Sequence, residues 1–291
     1  MNETLKRAIS GAVYIVLLLA SILYSTESFF ILFGLFLLIA AYEFSSLVQI
    51  NKIASLFISI IAYSSITYLL FNKIHLSKNF DITLSIAMLL ISIKCIYFLF
   101  EKRPTRMDTI SKYLYLFGYI ILPFIAIIKI TALGEFNAHS DYTLKTYSPK
   151  IMLSVFILIW TNDTFAYIVG KSIGKHKLFE RISPKKTIEG FVGGVVFAII
   201  AGYLISRYYI NPNPNHLQKS IIIWIITALI VGVLGTIGDL VESKFKRIAG
   251  VKDSGKIMPG HGGILDRLDS VIFVAPYIFL FYQILNYVTF S

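Results

Sequence analysis

The chain has 291 residues, 56% of them hydrophobic and only 15% charged, with a mean hydropathy of +0.74. A soluble domain carries about 25% charged residues, so a water-soluble globule is excluded. The net charge of +11 does not call for nucleic acid, because the Lys and Arg residues concentrate in short segments between apolar runs, as the inner loops of a membrane protein do.

Apolar runs of about 20 residues, the length that crosses a bilayer, recur about nine times. They fall near 9–26, 28–48, 53–71, 81–100, 113–133, 151–171, 189–207, 220–241 and 268–289. Hydrocarbon cannot hydrogen-bond to the backbone, which leaves helices or a closed barrel, and continuous runs without alternation select helices. The expected fold is therefore an all-α polytopic membrane protein. The first run follows Lys6 and Arg7 and lacks a small-residue cleavage site, so it reads as a retained signal anchor. The fourth holds Cys95, the sole cysteine, so no intramolecular disulfide can form. The sixth holds Asn162 and Asp163 and the eighth holds Asp239. Polar groups at membrane depth should face a polar cavity. Gly190, Gly193 and Gly194 in the seventh read as helix-packing glycines. Before them, Pro184 allows a helix to start with Ser183 as its cap.

Orientation follows from the basic residues. With the N-terminus inside, nineteen Lys and Arg residues lie on inner segments and six on outer ones. This favours a cytoplasmic N-terminus and an outer C-terminus. The charged loops 172–188 and 242–267 then face the cytoplasm, where nucleotides are. The chain divides into an N-terminal transmembrane scaffold over 1–135 and a C-terminal catalytic transmembrane region over 150–291.

The chemistry concentrates between Gly238 and Asp269. Asp239, Glu242, Ser243 and Lys246 are spaced i, i+3, i+4, i+7, so they share one face at the end of span eight. Asp266 and Asp269 are an i, i+3 pair at the start of span nine. Carboxylates at membrane depth need a cation or basic partners, and hard oxygens suit Mg²⁺ shared with substrate phosphates. Lys244, Lys246, Arg247, Lys252, Lys256 and Arg267 supply charge for several phosphates. Gly260, Gly262 and Gly263 let a backbone turn approach a ligand closely, and the N-terminus of span nine is an anion site. A second basic cluster runs through Lys171, Lys175, Lys177, Arg181, Lys185 and Lys186. Together these read as metal-assisted phosphoryl or nucleotidyl transfer.

The run Ser243-x-Phe245-Lys246-Arg247-x4-Lys252-Asp253-x-Gly255-x2-Met258-Pro259-x-His261-Gly262-Gly263-Ile264-x-Asp266-Arg267-Leu268-Asp269 resembles the signature of the phosphatidate cytidylyltransferases, or CDP-diacylglycerol synthases. Met258 stands where Leu, Ile or Phe is expected, an apolar swap of similar volume. Trp160 to Tyr167, Gly170-Lys171, Gly174-Lys175 and Ser183 to Gly190 resemble the family's other polar segments. Lys6 to Gly11 and Tyr42-Glu43-Phe44 are weaker echoes. The strong resemblance covers about 155–275.

The resemblance implies a nucleotidyltransferase that joins CTP to phosphatidate, releasing pyrophosphate and leaving CDP-diacylglycerol for phospholipid biosynthesis. It implies Mg²⁺, with a monovalent cation such as K⁺ as a second occupant, membrane lipids around the enzyme, no nucleic acid, and a homodimer. Asp239 and Asp266 are assigned as metal ligands and Asp269 as a partner to them. Lys246 and Arg267 join these acids as catalytic residues. Asn162, Asp163, Lys185, Lys186, Ser243, Arg247, Lys252 and Asp253 are assigned to substrate, while His261, Gly262 and Gly263 shape the nucleotide turn. The motifs also fit a CTP transferase acting on an ether-linked lipid phosphate. A transporter is the other alternative, but its repeated halves and helices broken at mid-membrane are not evident.

Overall fold

A computed structural model describes residues 3–72, 78–102, 107–132, 149–210 and 217–290. Of the residues counted for orientation, Lys73, Arg103, Arg106 and Lys145 lie outside these, as do 133–135 of the N-terminal scaffold and Ser291.

Among the described residues, nine helical rods are long and apolar enough to cross a membrane. They are α1 (Glu3–Tyr24), α2 (Thr26–Val48), α3 (Lys52–Phe71), α4 (Lys78–Phe100), a composite rod, α7 (Pro149–Ile173), α8 (Ile188–Ile205), α9 (Leu217–Ile248) and α10 (Leu265–Phe290). The composite rod runs through α5 (Thr109–Tyr115), a π-helical turn (Leu116–Ile121) and α6 (Leu122–Ala132); a second π-helical turn, Ser206–Ile210, extends α8. The all-α polytopic membrane fold read from the sequence is the one observed.

Short polar caps cut the apolar string into rods. Ser25 and Ser28 form a reciprocal capping box between α1 and α2. Asn51 Oδ1 accepts from the amides of Ile53 and Ala54 at 2.9 and 3.1 Å to start α3.

Two boundaries differ from the expected ones. Span eight does not end at 241, because α9 continues to Ile248. Leu240, Val241 and Phe245 are buried on the continuing helix, and Glu242 pairs with Lys246 one turn on, so both packing and charge favour the extra turns. The loop expected at 242–267 therefore spans only 249–264, since α10 already begins at Leu265. The loop at 172–188 is a hairpin, not a helix start: β1 (Lys177–Phe179) pairs antiparallel with β2 (Ser183–Thr187). Ser183 and Pro184 lie in β2, and Thr187 caps α8 instead, its Oγ1 accepting from the Gly190 amide at 3.1 Å.

The core lies where α2, α4, the composite rod, α9 and α10 meet. Phe245 of α9 is enclosed by the rings of Phe44, Phe98, Tyr115 and Tyr119, at centroid distances of 5.1, 4.7, 5.3 and 5.6 Å. Such ring pairs add directional preference to the burial. The glycines of α8 face α7 as expected. A Cβ at Gly190 would stand 2.6 Å from the Ala166 carbonyl oxygen, and one at Gly194 would stand 2.8 Å from that of Asn162. Close helix approach through small residues is the usual packing mode where water supplies no hydrophobic drive.

Direct contacts bring several helix ends to one face of the bundle. Lys244 Nζ donates to the carbonyls of Phe98 and Glu101 at the C-terminal end of α4, and Arg181 of the hairpin donates to Glu101 at 2.9 Å. The start of α1 and the end of α2 both touch the 249–264 loop.

Candidate active site

Three carboxylates converge where α9 meets α10. Oxygen atoms of Asp239, Glu242 and Asp269 all lie within 4.8 Å of one another. The helix period places Asp239 and Glu242 on one face of α9. Gly238 lets α10 come close, since a Cβ there would stand 2.6 Å from Phe273 Cβ and 2.8 Å from the Asp269 carbonyl oxygen.

Two lysines balance this group. Lys186 Nζ, at the end of β2, pairs with Asp239 at 2.6 Å. Lys246 Nζ bridges Glu242 and Asp266, the second at 2.6 Å. Glu242 is 0% exposed, and apart from its ion pair with Lys246 neither of its carboxylate oxygens has a well-aligned hydrogen-bond donor. Ser243 Oγ donates to Asp239 Oδ1 at 3.2 Å. Asp163, exposed on α7, lies within electrostatic range of Lys186 and Asp239. Its neighbour Asn162 is 2% exposed, with Oδ1 lacking a donor and set against Gly194 and Gly232.

The acid expected beside Asp239 is differently placed. Asp266 Oδ2 accepts from the Ser254 amide at 2.8 Å, the Ser254 hydroxyl at 2.9 Å and the Gly263 amide at 2.7 Å. With Lys246 on its other oxygen, it is engaged on both sides and ties the loop to α9. Asp269, one turn along, is the member of the pair that groups with Asp239 and Glu242, whereas the assignment made with the family resemblance put Asp266 beside Asp239. An i, i+3 pair on a helix cannot reveal which member points at the neighbouring helix.

The loop closes through a tight turn. The amide of Met258 donates to the Gly262 carbonyl at 2.9 Å, and the amide of His261 donates to the Met258 carbonyl at 2.9 Å. Gly262 has φ +90°, and a Cβ there would stand 2.4 Å from Asp266 Oδ2. Only glycine serves at that position, for its backbone angle and for the space. Arg267 donates to the His261 carbonyl at 2.9 Å. His261 Nδ1 lies 2.8 Å from Ser10 Oγ. Burial, then the charges of Arg267 and Arg7, hold the imidazole pKa below its usual range.

Glu43 of α2 is a site residue that the sequence marked only through the weak family echo at Tyr42-Glu43-Phe44. It is 3% exposed and accepts from Ser254 Oγ at 3.0 Å, the Ile264 amide at 3.2 Å and the Leu265 amide at 2.9 Å. A carboxylate here satisfies backbone donors at the start of α10. Glu242 likewise stood on the right helix face in the sequence without being named a ligand.

The other assigned residues divide. Asp253 packs beside Gly262, and Gly263 lies against Glu43. Arg247 is drawn away from the acids, donating to the carbonyls of Ile182 at 3.3 Å and Val251 at 3.0 Å. Lys185 and Lys252 are exposed, with no ion pair to a described residue.

Nine long apolar helices, with an acidic cluster where two of them meet, paired with Lys186 and Lys246 and set beside a glycine turn, define the class: a polytopic membrane protein whose site has the charge to hold a cation. The sequence model of the cytidylyltransferase family matches residues 5–285, and the chain belongs to that family. Curated relatives include phosphatidate cytidylyltransferases from Staphylococcus aureus strain COL, 48% identical, Staphylococcus haemolyticus, 46% identical, and Staphylococcus epidermidis, 45% identical. Each alignment covers 137 residues, 46% of this chain, and the chain spans about half the length of these relatives.

Proposed function

We propose that this protein is a phosphatidate cytidylyltransferase. CTP and phosphatidate give CDP-diacylglycerol and pyrophosphate. A phosphate oxygen of phosphatidate forms a bond to the α-phosphorus of CTP, and the bond from that phosphorus to the bridging oxygen breaks, releasing pyrophosphate. The observation that carries this reading is the Asp239–Glu242–Asp269 cluster with Lys186 and Lys246 at its edge. The relatives' names supply the base and the lipid.

The donor set fits a hard divalent cation. Three carboxylates share one small volume, and apart from the Lys246 ion pair Glu242 has no aligned donor on either oxygen, so carboxylate oxygens are available to a hard cation. Asp239, Glu242 and Asp269 would hold it, and it would supply charge neutralisation at the triphosphate. K⁺ beside it remains part of the proposal. The chain's own groups position. Lys246 fixes Glu242 against Asp266, and Asp266 fixes the loop through Ser254 and Gly263. Lys186 and Arg267 present charge to the phosphates. No protein nucleophile is needed, because the attacking phosphate is already anionic at neutral pH. Catalysis is then positioning plus electrostatic stabilisation. The site faces the cytoplasm with the N-terminus inside, as supported by the basic residues around it and by the helix ends gathered on its face.

Purified protein should form CDP-lipid from CTP and phosphatidate only with Mg²⁺ present. Asp269→Asn should lower turnover by about 10²-fold or more while the protein still inserts. Lys52→Ala should be silent, since among the described residues the recorded polar and cation–π partner of Lys52 is the surface residue Tyr42. Wild-type levels of CDP-lipid from Asp269→Asn would refute the assignment. Competition between ester- and ether-linked phosphatidate in the same assay identifies the lipid.

A further inference from the structure

Arg7, Ser10, Gly11, Tyr14 and Leu18 are spaced i, i+3, i+4, i+7, i+11, so they form one helix face. That face meets the 258–262 turn. Ser10 Oγ donates to the Pro259 carbonyl at 3.0 Å and lies 2.8 Å from His261 Nδ1. Gly11 packs on the His261 ring, and Gly260, at φ +76°, leaves room for the Arg7 side chain. Arg7 and Arg267 therefore both lie close to His261, and neither pairs with an acid among the described residues. Deeper on the same face, Tyr14 is 8% exposed. Its hydroxyl has no hydrogen-bond partner and lies in electrostatic range of Arg267 and Asp269.

We infer that this junction is the subsite for the phosphate of the lipid substrate, with Arg7 of α1 and Arg267 of α10 as its two guanidinium donors and the Tyr14 hydroxyl as a third. The inference rests on the proposed cytidylyl transfer and deepens it. Guanidinium groups present paired donors suited to a phosphate monoester, and a buried hydroxyl without a partner is a polar group still to be satisfied. The lipid, not the nucleotide, is favoured by the place of α1 in the bundle. It is an outer helix whose far side exposes Ile9, Val13, Val16 and Leu17, so the junction stands at a rim that a bilayer lipid reaches directly. Asp269, in electrostatic range of the Tyr14 hydroxyl, belongs to the acidic cluster proposed for the metal and triphosphate, so a phosphate held here stands toward the proposed triphosphate.

The test is kinetics of the full-length protein in mixed micelles, with the surface fraction of phosphatidate and the concentration of CTP varied separately. Arg7→Gln should raise the KM for phosphatidate about tenfold or more and leave the KM for CTP within about twofold, with Arg7→Lys between it and wild type. Tyr14→Phe, which removes only the hydroxyl, should move the phosphatidate KM in the same direction and stands in should Arg7→Gln fail to fold. A rise in the CTP KM equal to that for phosphatidate, or no change in the phosphatidate KM, overturns the subsite. A wild-type protein with no phosphatidate turnover overturns the reaction itself, which the other two outcomes do not.

Discussion

At the scale of single residues, identity and spacing are not enough to distribute roles. Asp266 and Asp269 are both acids at the start of α10, yet Asp266 spends its oxygens on Lys246, Ser254 and Gly263, while Asp269 joins Asp239 and Glu242. His261 carries a pH consequence. Its folded pKa lies below the ordinary 6.5, first because of burial and then because of Arg267 and Arg7. The unfolded chain therefore binds more protons around and below that pH, so the stability this group allows is complete above it and is lost as pH falls towards the folded value. The wild type should thus lose thermal stability between about pH 7.5 and about pH 5.5 more steeply than His261→Asn does. Parallel curves for the two proteins would show that the imidazole does not titrate in this window.

At the scale of elements, helix spacing sets the geometry of the acids. Gly238 is the contact point of α9 with α10. Gly238→Ala inserts a methyl group against Phe273 and the Asp269 backbone, an overpacking that should cost about 1–3 kcal/mol. It should also separate Asp239 and Glu242 from Asp269, so turnover should fall along with resistance to denaturation in detergent. An Ala variant with unchanged stability and turnover would show that the helices do not pack this closely. The hairpin has a similar positioning role. Its β2 strand carries Lys186 to Asp239, and its Arg181 meets the end of α4. A three-residue strand paired with a five-residue one has no apolar alternation to betray it, which is why the sequence suggested a helix start at Pro184.

At the scale of the whole molecule, the apolar N-terminal helices reach into the charged loop. Glu43 of α2 accepts three donors from Ser254, Ile264 and Leu265, α1 contacts the His261 turn, and Phe44, Phe98 and Tyr119 enclose Phe245. Glu43→Ala should strand those donors, at about 1–3 kcal/mol each, lowering both melting temperature and CTP-dependent turnover. Glu43→Gln, which keeps one acceptor oxygen, should recover part of each. If the Ala variant melts and turns over like the wild type, the clamp plays no part in ordering the loop.

The order of the helices was legible in the sequence because bilayer thickness and backbone satisfaction impose a run length that can be counted. The charged segment was legible because acids, bases and a glycine turn cluster within some thirty residues of each other. Tertiary structure alone decided which acids meet. Glu242, Asp239 and Asp269 come from two helices whose rotation is set by packing at Gly238, and Glu43 lies some two hundred residues before the loop it holds. Periodicity reports the face a residue occupies on its own helix; which neighbour that face meets is determined by contacts distant in the chain, and no local pattern encodes them.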